Sequence, residues 1–215
     1  MTGEHDRYRA AGLTRNPFSI EMHDSESGVL DDACFVFRGL ADPPPARSKT
    51  LVQVIGDQGV GKSTHLRHWQ RRHPGPYHYI PRSPYRQRWT PPPVAPVVYG
   101  DEIDRMPRPL RLRWFSQLAR MNATLVIGTH ADLRRLGRAV GFSVVTHELG
   151  RVGREQLRAV LDRRLEAAKL PGSRHVFRFS DEDLVRVLTL SKGNLRAADS
   201  VCHRIVAQRV SQRRA

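Results

Sequence analysis

Thr50-Leu51-Val52-Gln53-Val54-Ile55-Gly56-Asp57-Gln58-Gly59-Val60-Gly61-Lys62-Ser63-Thr64 is the stretch that decides the fold. Its first six residues are largely aliphatic or β-branched and predict a buried strand, whereas residues 62–72 have helical periodicity. Between them, Gly56 to Ser63 fits G-x-x-x-x-G-K-[ST] at every position. Glycines at 56, 59 and 61 let successive backbone N–H groups face one point with no Cβ in the way. The following helix adds the positive end of its dipole to that anion site. Lys62 is placed to reach the β- and γ-phosphates of a nucleotide, and the Ser63 hydroxyl to ligate Mg2+. The expected nucleotide cradle is Gly56, Asp57, Gln58, Gly59, Val60, Gly61, Lys62, Ser63 and Thr64.

Downstream, Val97-Val98-Tyr99-Gly100 predicts a second buried strand that runs straight into Asp101-Glu102. Two carboxylates at the C-terminal end of a parallel strand stand where ligands bind in open α/β sheets. Asp101 is therefore expected to hold the magnesium through its water shell, and Glu102 to act as general base on an attacking water. Asp104 is expected to cap a helix. Leu112, Phe115, Leu118 and Met121 recur at helical spacing, residues 124–128 form another apolar strand, and residues 142–149 a further one. The interval from Pro74 to Pro96 holds eight of the 15 prolines and is expected to be mostly loop. Only Tyr77 to Ile80 offers a strand there. Strands alternating with helices imply a parallel sheet covered on both faces.

After Gly150 the pattern changes to helices without strands, over residues 154–169, 181–190 and 194–208, with Ser180-x-x-Asp183 resembling a capping box. The expected organisation is an N-terminal segment, 1–49, packing on the nucleotide site, a sheet core, 50–150, and a small C-terminal helical lid, 151–215.

The chain has 215 residues, 39% of them hydrophobic, and a formal net charge of +15. No window approaches the ~20 apolar residues of a membrane-spanning helix, and residues 1–16 lack the apolar core of a secretory signal. Cys34 and Cys202 are too few for a disulfide framework or metal cluster, so reduced thiols and a cytoplasmic setting are expected. None of the ten histidines has metal-ligand spacing. Of 36 cations, 32 are arginine, spread along the chain. Arginine's planar donor fork suits phosphate and nucleic-acid surfaces; the other reading is plain solvated charge. Arg82, Arg86 and Arg88, beside Tyr85 and Trp89, are the most concentrated candidate for a nucleic-acid contact.

A phosphate loop, a strand ending in Asp-Glu, a later polar strand end and a helical lid together resemble the AAA+ branch of the P-loop ATPases. The resemblance spans residues 13–209. It implies ATP and Mg2+ as cofactors. Thr124 to His130 looks like the strand carrying the family's first sensor, which makes Thr129 the first choice and His130 the second for reading the γ-phosphate. Ser191-Lys192-Gly193-Asn194-Leu195-Arg196 resembles the second-sensor motif G-N-x-R, which implies that Arg196 reaches the γ-phosphate; as local structure, Gly193-Asn194 also reads as a turn with Asn194 capping the next helix. Asn16-Pro17-Phe18 is similar to the segment near the adenine in the branch associated with transposition, secretion and origin recognition. Arg134, Arg135 and Arg138 stand where oligomeric members supply an arginine to the neighbour's nucleotide. The short, proline-rich interval after the phosphate loop departs from the family and leaves room for a lost strand or helix.

Three functions follow as expectations: an ATP-hydrolysing switch that forms nucleotide-dependent homo-oligomers, an ATP-gated nucleic-acid-binding or transposition helper with little turnover, and a small-molecule kinase. The kinase fits least, because the helices follow the sheet instead of being inserted in it. A guanine-specific N-K-x-D motif is absent, and ATP is the nucleotide the resemblance implies.

Overall fold

Four runs containing aliphatic and β-branched residues and one short aromatic run form a fully parallel sheet in the computed structural model, which describes residues 4–18, 35–82, 88–90, 92–173 and 177–212. The strands are β1 (Thr50–Ile55), β2 (Tyr77–Tyr79), β3 (Val97–Asp101), β4 (Thr124–Thr129) and β5 (Ser143–Glu148), in the order β2-β3-β4-β1-β5. β1, β3 and β4 are buried along nearly their whole length, as central strands of a sheet covered on both faces should be. The strand that the proline-rich interval put at risk is present: β2 has three residues and pairs with β3 at the sheet edge, Tyr77 opposite Tyr99 and Tyr79 opposite Asp101.

Helix α1 (Glu4–Ala10) precedes the sheet; α2 (Lys62–Arg72) follows β1, α3 (Arg108–Arg120) follows β3, and α4 (Arg134–Ala139) follows β4. Strand alternation divides the sheet's side chains between two cores. Val52, Val54, Tyr99 and Val126 pack with Leu66 and Trp69 of α2. Leu51, Val98, Leu125 and Ile127 pack with Trp114, Phe115 and Leu118 of α3. The α3 face differs from the expected one: Leu112 and Met121 are each 49% exposed, and Arg111 and Trp114 are buried instead. Asp104 does not cap α3, whose cap position is Pro107; it lies in a 3-10 turn, Ile103–Arg105, that binds the end of β4.

Residues 39–150 make one compact unit and the described residues up to Arg38 make a second with residues 151–212, which differs from the expected break at residue 50. In the second unit, α5 (Arg154–Ala167), α6 (Asp181–Ser191) and α7 (Leu195–Gln212) share a core with Tyr8, Ala11, Leu13 and Phe18. Leu13 bridges to Lys169, and Thr14 donates its amide to Ala168 O at 2.7 Å, which ties the N-terminal segment to the end of α5. The Ser180–Asp183 capping box is present in full. Arg164 and Asp199 form a buried ion pair beside Cys202, a free thiol pushed up to about 12 chiefly by burial. Cys34, Tyr85 and Arg86 lie outside the described residues. Among the described residues, no helix is long and apolar enough to cross a membrane.

Candidate functional site

The register of the sheet brings Ile55, Thr129 and Asp101 to the same edge, because β4 lies between β1 and β3 with Ile55 opposite Thr129 and Gly128 opposite Asp101. The phosphate loop leaves the sheet there. Gly59 (φ 80°) and Gly61 (φ 99°) occupy the left-handed region that a side chain disfavours. A Cβ on Gly56 would lie 2.4 Å from Leu149 O, so the loop closes against the end of β5 only with glycine at that position. Backbone N–H groups at the start of α2 have no side-chain cap, the arrangement suited to an anion.

Lys62 is 4% exposed, and its ammonium donates to Gly56 O (2.7 Å) and Asp57 O (3.0 Å). Burial lowers its pKa, while Glu102, Asp101, Asp104 and Asp57 pull the other way. Asp101 is buried at the end of β3. Its Oδ1 accepts the Glu102 amide at 3.1 Å, and its Oδ2 accepts the Tyr77 hydroxyl at 2.7 Å. The Ser63 side chain lies beside that same hydroxyl. The two expected metal ligands, one from α2 and one from β3, thus stand near a single phenol, which bonds the carboxylate. Burial and the Asp101 carboxylate push the Tyr77 phenol well above its ordinary value. A Cβ on Gly128 would lie 2.5 Å from Asp101 Oδ1, so glycine in β4 makes the space the carboxylate fills.

Glu102 stands at φ 59°, ψ 37°, a left-handed conformation that turns its side chain out of the strand direction. Its Oε2 is 2.8 Å from Arg105 Nη2 and 3.0 Å from His130 Nε2. Neither contact has hydrogen-bond alignment. Non-glycine residues held in this region cluster at functional sites.

Alternation along β4 separates the two candidate sensors. The Thr129 side chain falls on the α3 face, where its hydroxyl lies within hydrogen-bond reach of Ala131 O (2.9 Å) and Asp104 Oδ1 (3.2 Å). His130 falls the other way, its ring 3.4 Å from Lys62 Nζ and 3.0 Å from Glu102 Oε2. Of the three arginines in the following segment, Arg134 is paired with Asp132 (2.7 Å), and Arg135 and Arg138 are exposed on α4. Arg82 Nη2 donates to Gln58 Oε1 of the phosphate loop at 2.9 Å.

The remaining expected residues lie in the helical unit. Asn194 caps α7, its Oδ1 accepting Ala197 N at 3.0 Å, and Arg196 is exposed on the first turn. Asn16 Oδ1 accepts Phe18 N at 2.8 Å, and the Phe18 ring is buried against Phe179. Tyr77, Arg105 and Asp104 are the site residues that sequence reasoning missed or misassigned. Only the isolated Tyr77–Ile80 strand signal pointed at the first.

The donor set fits the implied groups. One hydroxyl and one carboxylate suit Mg2+, which keeps several waters and takes few protein oxygens, and the glycine cradle with Lys62 suits a polyphosphate.

A parallel sheet in this strand order, flanked by helices, with the phosphate loop after β1 and acidic residues after β3, defines the P-loop fold. The chain is similar to solved structures of the RuvB Holliday junction branch migration motor from Thermotoga maritima. One matches at 18% identity and TM-score 0.49, over 70% of this chain and 52% of that one. Two point mutants of that motor match at 16% identity and TM-score 0.50 (70% and 52%) and at 15% and 0.48 (86% and 63%). The chain therefore spans between half and two thirds of the RuvB chains, and the likeness is one of fold. No protein-family model and no curated protein sequence matches the chain.

Proposed function

We propose that the chain binds ATP with magnesium at the ends of β1, β3 and β4, hydrolyses it, and acts as a nucleotide-dependent switch. The observation that carries this reading is the meeting of Lys62, Asp101 and Glu102 at one sheet edge, where the phosphate loop that carries Ser63 leaves β1.

In this reading the loop amides, the Lys62 ammonium and Thr64 hold the phosphates, and Ser63 and Asp101 hold the magnesium. The cation supplies neutralisation of phosphate charge. Glu102 accepts the proton of the attacking water, and Arg105 and His130 hold its carboxylate in place. His130 spans base and lysine, so we assign it the reading of the γ-phosphate, with Thr129 anchoring the turn that carries it. For Arg196 at the γ-phosphate, for Asn16 and Phe18 near the adenine, and for the finer likeness to the transposition, secretion and origin-recognition branch, the support is the resemblance of their motifs. Arg135 and Arg138 are the arginines we assign to a neighbour's nucleotide in a homo-oligomer, since Arg134 is engaged by Asp132.

Phosphate release in Mg-ATP, with and without double-stranded DNA, tests the reading against Glu102→Gln. A drop of about 10²–10⁴-fold in the variant is expected for loss of a general base. No release by the wild type above the variant in any condition overturns hydrolysis.

The second reading, an ATP-gated nucleic-acid-binding or transposition helper, is favoured by the +15 charge, by Arg82, which bonds the phosphate loop, and by Arg88 and the exposed Trp89 that follow it in sequence. It predicts DNA binding that weakens steeply with salt; no binding at low salt, with or without ATP, overturns it.

A further inference from the structure

We propose that Tyr77 is a positioning residue for the divalent cation: its hydroxyl fixes the Asp101 carboxylate and thereby sets how strongly nucleotide binding depends on magnesium. The inference rests on the functional reading above and names a residue that reading does not need.

The phenol is held from three directions. Its backbone is fixed in the β2–β3 ladder opposite Tyr99. The Arg67 guanidinium covers its ring, 3.4 Å from the centroid. Arg67 donates to Gln70 Oε1 (3.3 Å), and Gln70 donates to Gly75 O (2.8 Å), so the covering group is itself tied to the chain just before β2. The ring therefore presents its oxygen at one place, where it donates to Asp101.

A site with one carboxylate and one hydroxyl has little to orient it, because water and phosphate supply the other ligands. Asp101 can present its free lone pairs in a fixed direction only if both oxygens are anchored. The Glu102 amide anchors Oδ1 and Tyr77 anchors Oδ2. Groups that hold a metal ligand in this way are typically worth about 10–100-fold in metal affinity. Tyr77→Phe removes the oxygen and leaves the ring beneath Arg67.

The test is a titration of the full chain with a fluorescent ATP analogue, once in saturating magnesium and once in EDTA. Wild-type protein is expected to bind more tightly in magnesium. In Tyr77→Phe that magnesium-dependent gain should shrink about tenfold or more, with EDTA affinity within about twofold of wild type, as a purely structural loss would not leave it. An unchanged or larger gain in Tyr77→Phe overturns the role of Tyr77 while leaving the functional reading standing. Wild-type binding that ignores magnesium overturns both. Should Tyr77→Phe fail to fold, Arg67→Ala keeps the phenol and uncovers its ring; a reduced gain supports the proposal, and an undiminished one overturns it.

Discussion

His130 Nε2 lies 3.0 Å from Glu102 Oε2, and the Lys62 ammonium lies 3.4 Å from Nδ1 and 3.5 Å from Nε2 of the same ring. One imidazole therefore spans the group expected to hold phosphate and the group expected to take a proton from water. It reaches both because position 130 follows β4 on the face opposite to Thr129.

If His130 holds Glu102 in place, His130→Ala should cost turnover more than binding. The expected result is a fall in kcat on the order of tenfold, as misplacement of a catalytic group produces, with nucleotide affinity changed much less. Steady-state phosphate release and a separate binding titration check it. A variant that loses affinity and keeps kcat would assign His130 to phosphate binding alone.

Gly128 makes room for the Asp101 carboxylate, so Gly128→Ala places a methyl group 2.5 Å from Oδ1 and 3.5 Å from Leu66 Cδ2. Overpacking of this kind costs about 1–3 kcal/mol, which chemical denaturation would read. Displacement of the carboxylate should also weaken magnesium-dependent nucleotide binding. An alanine variant with wild-type stability and magnesium dependence would show that the carboxylate has space to move.

Asp132 gives a pH signature. Gln53 Nε2 (2.9 Å) and the Arg134 amide (2.9 Å) both donate to Asp132 Oδ1 and hold its carboxyl down to about 2, with the Arg134 guanidinium adding to the effect. A carboxyl depressed in the folded protein contributes stability that is fully present above its unfolded value and is lost as pH falls through its folded value. Asp132→Asn should therefore destabilise at neutral pH. The gap to wild type should narrow as pH falls from about 4 toward 2. Denaturant midpoints across that range check the trend; a gap independent of pH would mean the loss is one of geometry, not charge.

What was legible in the sequence is what local chemistry decides. β1, the phosphate loop and α2 could be placed because glycine spacing, β-branched residues and helical periodicity all occur within 23 residues, from Thr50 to Arg72. Asp101 and Glu102 could be assigned to a strand end because β3 is a continuous apolar run. α4 was not legible: it is six residues long, and its Gly137, a poor helix former, is required because a Cβ there would lie 2.5 Å from Leu51. Leu112 and Met121 misled because helical spacing gives a stripe but not its direction, and α3 turns Trp114 and Arg111 inward instead. Tyr77 and His130 acquire their roles only when β2 pairs with β3 and β4 lies between β3 and β1. No window of sequence contains that information. Asn16 and Phe18, expected beside the adenine, show local and core-packing partners within the helical unit, and the motif alone could not distinguish these from ligand contacts.

The account depends on main-chain amides of residues 56–63 and the Lys62 ammonium gripping a triphosphate. Isothermal titration calorimetry of Mg-ATP into the wild-type chain and into Lys62→Ala tests this most directly. Saturable binding of one nucleotide per chain is predicted for the wild type, with the heat abolished in a Lys62→Ala protein that retains its fold by circular dichroism. A wild-type chain that takes up no nucleotide, or a Lys62→Ala chain that binds it equally well, would contradict the account.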